Sequence, residues 1–243
     1  MNPLLEEFRH HYLHDPHRTT TEISDIILGG QDGLVNVLGV ILGIAAATGD
    51  PWVIIVAGLA ATFAESVSMS AVAYTSTIAS ADVYESERER EYRHIQKAPT
   101  LEREEVIEIY QRKGFSGELL NKIVDTITAN TDVWVAVMMA EEHGLTPTNR
   151  RHALRSALVV GISAIIGSMI PMIPFFILSI PVQTSMLLSV LVAALTLFIV
   201  GAYKAKLTIG SPGKSGLEMA AIGTLSALVG YAVGALLKIP GAQ

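Results

Sequence analysis

The chain has 243 residues, half of them hydrophobic, a mean hydropathy of +0.44 and only 16% charged side chains, against about 25% in an average soluble domain; this is a membrane composition. A net charge of -6, with bases interleaved among acids, argues against a nucleic-acid partner, which needs a basic face. The absence of cysteine excludes disulfides, thiolate metal sites and cysteine nucleophiles.

Residues 1–22 form a polar N-terminal segment. Its MNPLLEEFRHHYLHDPHR has no apolar core and no small-residue cleavage site, so it is not a signal peptide. His10, His14 and His17 stand at near-helical spacing, but a short terminal run reads as a frayed interfacial segment and is left out of the site. Five apolar stretches follow, at about 23–47, 51–80, 154–177, 183–206 and 215–238, each long enough to cross about 30 Å of hydrocarbon. The TGDP link makes the first two an antiparallel hairpin. The chain thus divides into 1–22, spans one and two (23–80), a polar insert (81–153), spans three to five (154–238) and a tail (239–243).

Charge sets the orientation. Residues 81–155 hold 11 of the 17 Lys and Arg and 14 of the 23 Asp and Glu. Arg9, Arg18, the insert, Lys204, Lys206 and Lys214 all fall on one side of five alternating spans, and Lys238 stands alone on the other. By the positive-inside rule the N-terminus and the insert are cytoplasmic. Gly29 and Gly33, Gly39 and Gly43, and Gly230 and Gly234 are spaced four apart, which suits close helix approach, either within one protomer or across a dimer.

Asp32 interrupts the apolar run LGGQDGLVNVLGVILGIAAA. An intramembrane carboxylate costs about 2.5–3.5 kcal/mol on insertion scales, so its default reading is an ion path, a proton relay or a paired charge. Counted from the same side, Asp32 and Met69 share one depth, and Glu65 lies one turn from Met69 on the same helix face. No Lys or Arg stands at that depth to neutralise the two acids, so a cation is the missing partner. Carboxylate, thioether and the hydroxyls of Ser66, Ser68 and Ser70 suit a first-row divalent metal better than magnesium. Asn36, one turn beyond Asp32, serves as a further ligand or as an interhelical hydrogen-bonding group. Carboxylates in low dielectric hold protons more tightly, which makes proton exchange for metal the resulting hypothesis. Nearer the membrane ends, Lys214 and Glu218 have the spacing of a helical ion pair.

The insert reads as three helices. The first continues from the second span; Pro99 opens the second, with Thr100 as its N-cap, and Lys113 and Gly114 close it; Ser116 and Glu118 start a third that ends near His143 and Gly144. Glu85, Glu87, Glu89, Glu91, Glu102, Glu104, Glu105 and Glu108 exceed what helix capping needs. Glu105 and Glu108 are three apart and face one way, and Met138 with Glu142 repeats the carboxylate and thioether chemistry of the membrane site. A solvated acidic face accounts for the glutamates but not for the methionine.

HRTTTEISDIILGGQDGLVNVLGVILG, FAESVSMSAVAYTS, EEVIEIY and MMAEEHGL, taken in order along the chain, resemble the vacuolar iron transporter family. The resemblance implies an all-α membrane protein of five transmembrane helices, with a small helical cytoplasmic metal-binding domain between the second and third. It implies a homodimer that moves ferrous iron, and often manganese, out of the cytosol in exchange for protons, with cobalt or zinc as further candidate metals and no cofactor beyond the transported ion. Asp32 and Met69 correspond to the family's membrane aspartate and methionine. Glu105 and Glu108 match its second-helix pair, Met138 and Glu142 its third-helix pair, and Glu87 and Glu91 are chosen for the first helix. One departure is evident: the family's second-span glutamate falls on Ala61, and Glu65 stands one turn later. The membrane implied is the plasma membrane in a prokaryote or the vacuolar membrane in a eukaryote.

Two other classes compete. A membrane-anchored metal sensor or store predicts binding without flux, yet anchoring needs neither five spans nor buried acids. A passive divalent-cation channel uses the same acids but does not couple to a pH gradient. An enzyme is the weakest reading, because none of the seven histidines lies inside a span to build the hydrolytic metal site such an enzyme needs.

Overall fold

In the computed structural model the described residues are 20–148, 150–208 and 210–237. His10, His14, His17, Lys238 and the 239–243 tail lie outside them. In chain order the described helices are α1 (Thr20–Thr48), α2 (Pro51–Lys97), α3 (Pro99–Arg112), α4 (Gly117–Thr128), α5 (Thr131–Glu141), α6 (Arg151–Met172), a 3-10 turn (Ile173–Phe176), α7 (Val182–Leu207) and α8 (Pro212–Leu236). The chain separates into two compact units, one of residues up to Ala73 together with those from Arg155 onward, the other Tyr74–Leu154.

The first unit holds the membrane-length helices. Ile23–Thr48, Pro51–Lys97, Arg151–Phe176, Val182–Leu207 and Pro212–Leu236 are each long and apolar enough to cross a bilayer, matching the five spans expected, so the chain is a multi-pass membrane protein. Between α1 and α2 the reversal is local chemistry. Gly49 sits at φ 68, where a side chain is strained, and the Asp50 carboxylate accepts from the Trp52 amide at 2.8 Å and the Val53 amide at 3.3 Å, capping α2.

α1 is the axis of this unit, and its glycines decide how it packs. Gly29 and Gly33 lie against the Val160 and Ala164 carbonyls of α6, while Gly39 and Gly43 meet Ser226 and Gly230 of α8; a Cβ on Gly43 would stand 2.9 Å from the Gly230 carbonyl oxygen, and one on Gly230 or Gly234 would overlap the Gly39 or Gly43 carbonyl. All three glycine pairs are therefore spent on contacts within the protomer. Leu34, Leu38 and Leu42 of α1 fill the space toward Ala193 and Leu197 of α7 and Met219 and Ala227 of α8. Val37, Ile41 and Ala45 pack with Ile54, Ile55, Met172 and Phe175. Pro171, which cannot continue the helical bonding, ends α6 in the 3-10 turn, and the Pro171 and Pro174 carbonyls accept instead from Ser189 Oγ at 2.5 Å and Ser185 Oγ at 3.2 Å. Lys214 and Glu218 make the exposed pair expected, at 4.0 Å.

In the second unit the later turns of α2 join α3, α4 and α5 around Ile95, Val106, Ile109, Leu120, Val124, Ile127, Trp134, Val135, Met138 and Met139. Two sequence expectations fail here. Ala98, not Thr100, is the N-cap of α3, with Pro99 in the first helical position, where its missing N–H costs nothing. The third helix is two: Asn130 breaks it, its side-chain oxygen accepting from the Asp132 and Val133 amides at 2.9 and 3.3 Å. An N-cap that satisfies two orphan amides competes directly with helix continuation. The α3 stop is as expected, with Gly114 at φ 95.

Candidate metal centre

Within the first unit α1 and α2 bring three polar side chains together. Asp32 and Asn36 are one turn apart on α1, and the Glu65 carboxyl of α2 meets both the Asp32 carboxyl and the Asn36 amide. Glu65 reaches this position because Thr62 and Ser66, on the neighbouring face of α2, are buried against α6, with Ser66 Oγ donating to the Gly161 carbonyl at 2.9 Å. Met69, one turn after Glu65, is half-buried. Ala61, one turn before Glu65, packs against the Val37 and Ile41 cluster. Asn36 is exposed, as are Leu28 at 52% and Val40 at 40%. Leu28, Asp32, Asn36 and Val40 succeed one another every four residues, so one stripe of α1 carries a carboxylate on a face that the chain's own helices leave open.

The second unit holds a denser cluster. Glu91, from the polar end of α2, is 2% exposed, and Glu102, in the first turn of α3, is 4% exposed. Glu102 is buried because α3 packs through Glu102, Val106 and Ile109, the i, i+4, i+7 face of a helix. His94 Nδ1 stands 3.4 Å from Glu102 Oε1 and 3.9 Å from Glu91 Oε1. His143 Nε2 is 3.0 Å from the same Glu91 oxygen. The geometry makes two three-ligand groups, Glu91 with His94 and Glu102, and Glu91 with Glu142 and His143, each with ligand atoms within 4.8 Å of one another. Glu91 belongs to both. His143 is brought in by the end of α5, where the Met138 carbonyl accepts from both the Glu142 and His143 amides.

The electrostatics of this cluster call for a cation. Burial, and then the charges of Glu105, Glu91 and Glu142, push the Glu102 carboxyl up to about 7. Glu142 is exposed as a residue, but its carboxyl lies against the cluster, and desolvation followed by the Glu105 charge raises it as well. Burial opposes the charged form of His143, yet the hydrogen bond it donates to Glu91 and the charges of Glu142, Glu91 and Glu87 outweigh it and raise the imidazole. Among the described residues, the second carboxylate oxygens of Glu91 and Glu102 are buried without a partner. Buried acceptors in native proteins are almost always satisfied, and a divalent ion held by carboxylate and imidazole would satisfy both. The donor set of oxygen and nitrogen suits a first-row divalent metal.

Of the residues expected from sequence, Glu91, Glu105 and Glu142 meet in this cluster. Glu87 acts on His143 through its charge while pairing with Arg90 at 3.4 Å. Met138 is fully buried in the apolar core of the unit. Glu108 is exposed and belongs to neither ligand group. Glu102, His94 and His143 are the additions, and the burial of Val106 and Ile109 on the Glu102 face is the signal that marks Glu102.

Similarity to known proteins runs through both clusters. The chain is 31% identical over 223 residues to vacuolar iron transporter 1 of Oryza sativa subsp. japonica, covering 91% of this chain and 88% of the relative. It is 32% identical over 220 residues to the vacuolar iron transporter of Centaurea cyanus, covering 90% and 89%, and 31% identical over 237 residues to that of Plasmodium berghei (strain Anka), covering 94% and 85%. The sequence profile of the VIT family matches residues 23–235, a range that contains every residue of the two clusters, and the chain belongs to that family.

Proposed function

We propose that this protein is a transporter that moves ferrous iron out of the cytosol in exchange for protons, with manganese and other first-row divalent ions as further substrates. The observation that carries the reading is the meeting of Asp32 and Glu65 across α1 and α2 with Asn36 beside them. Two carboxyls facing each other at membrane depth are costly without a cation, which makes the pair the place where a metal ion and protons exchange. Glu65 takes the place of the family's glutamate one turn away, and Met69 supplies a soft ligand on the same face.

The open stripe of α1 supports a homodimer. A lipid-facing Asp32 and Asn36 would be costly, and a second copy laid on the same stripe would cover them and place two acid pairs around one path. The second unit is a cytoplasmic metal-binding domain in this reading. Its two ligand groups take ferrous ions through Glu91, Glu102, Glu142, His94 and His143, with Glu105 adding negative charge. The positive-inside bias of Lys and Arg supports the cytoplasmic placement of that unit and of the N-terminus.

The test is ferrous flux into sealed proteoliposomes with and without an imposed pH gradient, comparing the native chain with Asp32→Asn. Gradient-driven flux in the native chain, lost in the variant, is the expected result. Metal binding without flux under any gradient would replace the reading with an anchored sensor or store, and flux indifferent to the gradient would replace it with a channel.

A further inference from the structure

The first unit has a groove on its outer surface, walled by α1, α6 and α7, with a volume of about 400 Å³. Ile27, Leu34, Ile166, Ile170, Leu197 and Tyr203 are among its lining side chains. Thr196, which also lines it, turns its hydroxyl onto the Val192 carbonyl of its own helix at 2.8 Å, so that apart from Gln31, Ser163 and Tyr203 the wall offers hydrocarbon. Along α1 the lining runs from Ile23 to Leu34, about 16 Å at 1.5 Å per residue, which is the depth of one leaflet of an about 30 Å core.

The mouth has a charge. On α7 the lining positions Ile199 and Tyr203 are followed on the same face by Lys206, seven residues after Ile199. Lys204 and Lys206 are both exposed in the last turn of α7, at the end where α1 begins its apolar run. Lys204 follows the lining positions Val200 and Leu197 by four and seven residues, so the two lysines flank the two edges of the α7 wall at this end, across from Asp25 of α1.

We propose that the groove is a lipid site, holding one acyl chain of an anionic phospholipid whose phosphate is bound by Lys204 and Lys206. The chain fills a gap that the side chains of α1, α6 and α7 leave open, and the lysines select the headgroup.

The experiment uses the full-length protein in detergent. Native mass spectrometry counts retained lipid after incubation with palmitoyl-oleoyl phosphatidylglycerol or with the phosphatidylcholine of the same chains, and thermal unfolding is followed in parallel. The expected result is one phosphatidylglycerol held more tightly than phosphatidylcholine, with the preference falling about fivefold for each lysine removed in Lys204→Gln and Lys206→Gln. Gly30→Leu is the second variant. A Cβ at Gly30 meets only the Ser163 carbonyl oxygen, at 3.7 Å, so the helix contact survives while the larger side chain enters the groove and both lipids are lost. Equal retention of the two headgroups by the native chain would overturn the proposal, as would unchanged retention in Gly30→Leu. A fall in oligomer mass in Gly30→Leu would overturn it in favour of a second copy seated in the groove. Because the readout is lipid and not flux, failure here leaves the transport reading standing.

Discussion

Lowering the pH from 8 to 6 is expected to weaken divalent-metal binding to the Glu91 cluster about tenfold through Glu102 alone. The metal needs the carboxylate, and a carboxyl pushed up to about 7 is mostly ionised at pH 8 and about nine-tenths protonated at pH 6, so the ion must displace a proton at the lower pH. Glu142 and His143 are raised too and add in the same direction. The same protons set the stability of the metal-free protein. Glu102 takes up its proton more readily folded than at the unperturbed 4.5, so the folded state binds the extra proton between 4.5 and about 7, and stability is greatest below that window and falls as pH rises through it. The difference is about 3 kcal/mol for a shift of this size. Manganese, which does not oxidise readily, serves for the titration: calorimetry on the full chain at pH 6, 7 and 8, in buffers of different ionisation heat, reads affinity and proton release together. Glu102→Gln should bind less tightly at pH 8 and lose the tenfold part of the pH slope. Equal affinity at pH 6 and pH 8 in the native chain, or an undiminished slope in Glu102→Gln, would refute the argument.

Glu91→Gln removes the one carboxylate common to both ligand groups and is expected to cost at least the 10- to 100-fold that loss of a mere supporting residue costs a metal site, at both sites together; a titration that still shows one site at native affinity would contradict the shared ligand. Gly230→Ala drives a methyl into the Gly39 carbonyl and should destabilise the helix bundle by about 1–3 kcal/mol, read as a lower unfolding temperature in detergent. Asn130→Ala removes the α5 cap at a cost of about 1 kcal/mol, with amide hydrogen exchange speeding up first in the opening turn of α5.

Much of the architecture was readable from the sequence because bilayer thickness imposes a length on every span. The five apolar runs needed no knowledge of their neighbours. The break at Asn130 escaped because the apolar positions of α4 and α5 continue across it, Val124 and Ile127 on one side and Trp134 and Val135 on the other, and periodicity does not register a cap. Glu102 was hidden for a different reason. Among Glu102, Glu104, Glu105 and Glu108, spacing alone allows several pairs, and only the packing of Val106 and Ile109 shows which face turns inward. His94 and His143 looked peripheral in the chain, at the end of one helix and just past another, and folding sets both against Glu91. The hairpin made a polar track of Asp32, Glu65 and Met69 legible, but depth counting set Met69 level with Asp32, and Glu65, one turn further out, is the residue that meets it.

The glycine contacts of α1 also have a mechanical consequence. α1 touches α6 and α8 backbone to backbone, through Gly29, Gly33, Gly39, Gly43, Gly230 and Gly234, and a collision with a carbonyl cannot be relieved by turning a side chain. Its contact with α2 is of another kind, with Gly58 of α2 facing the Ile41 side chain. Side-chain joints can repack between discrete arrangements where close backbone seams resist it. α1 is therefore fixed to α6 and α8 by backbone seams, while Asp32 and Glu65 face each other across a joint between α1 and α2 made by side chains, whose repacking would change the gap between them.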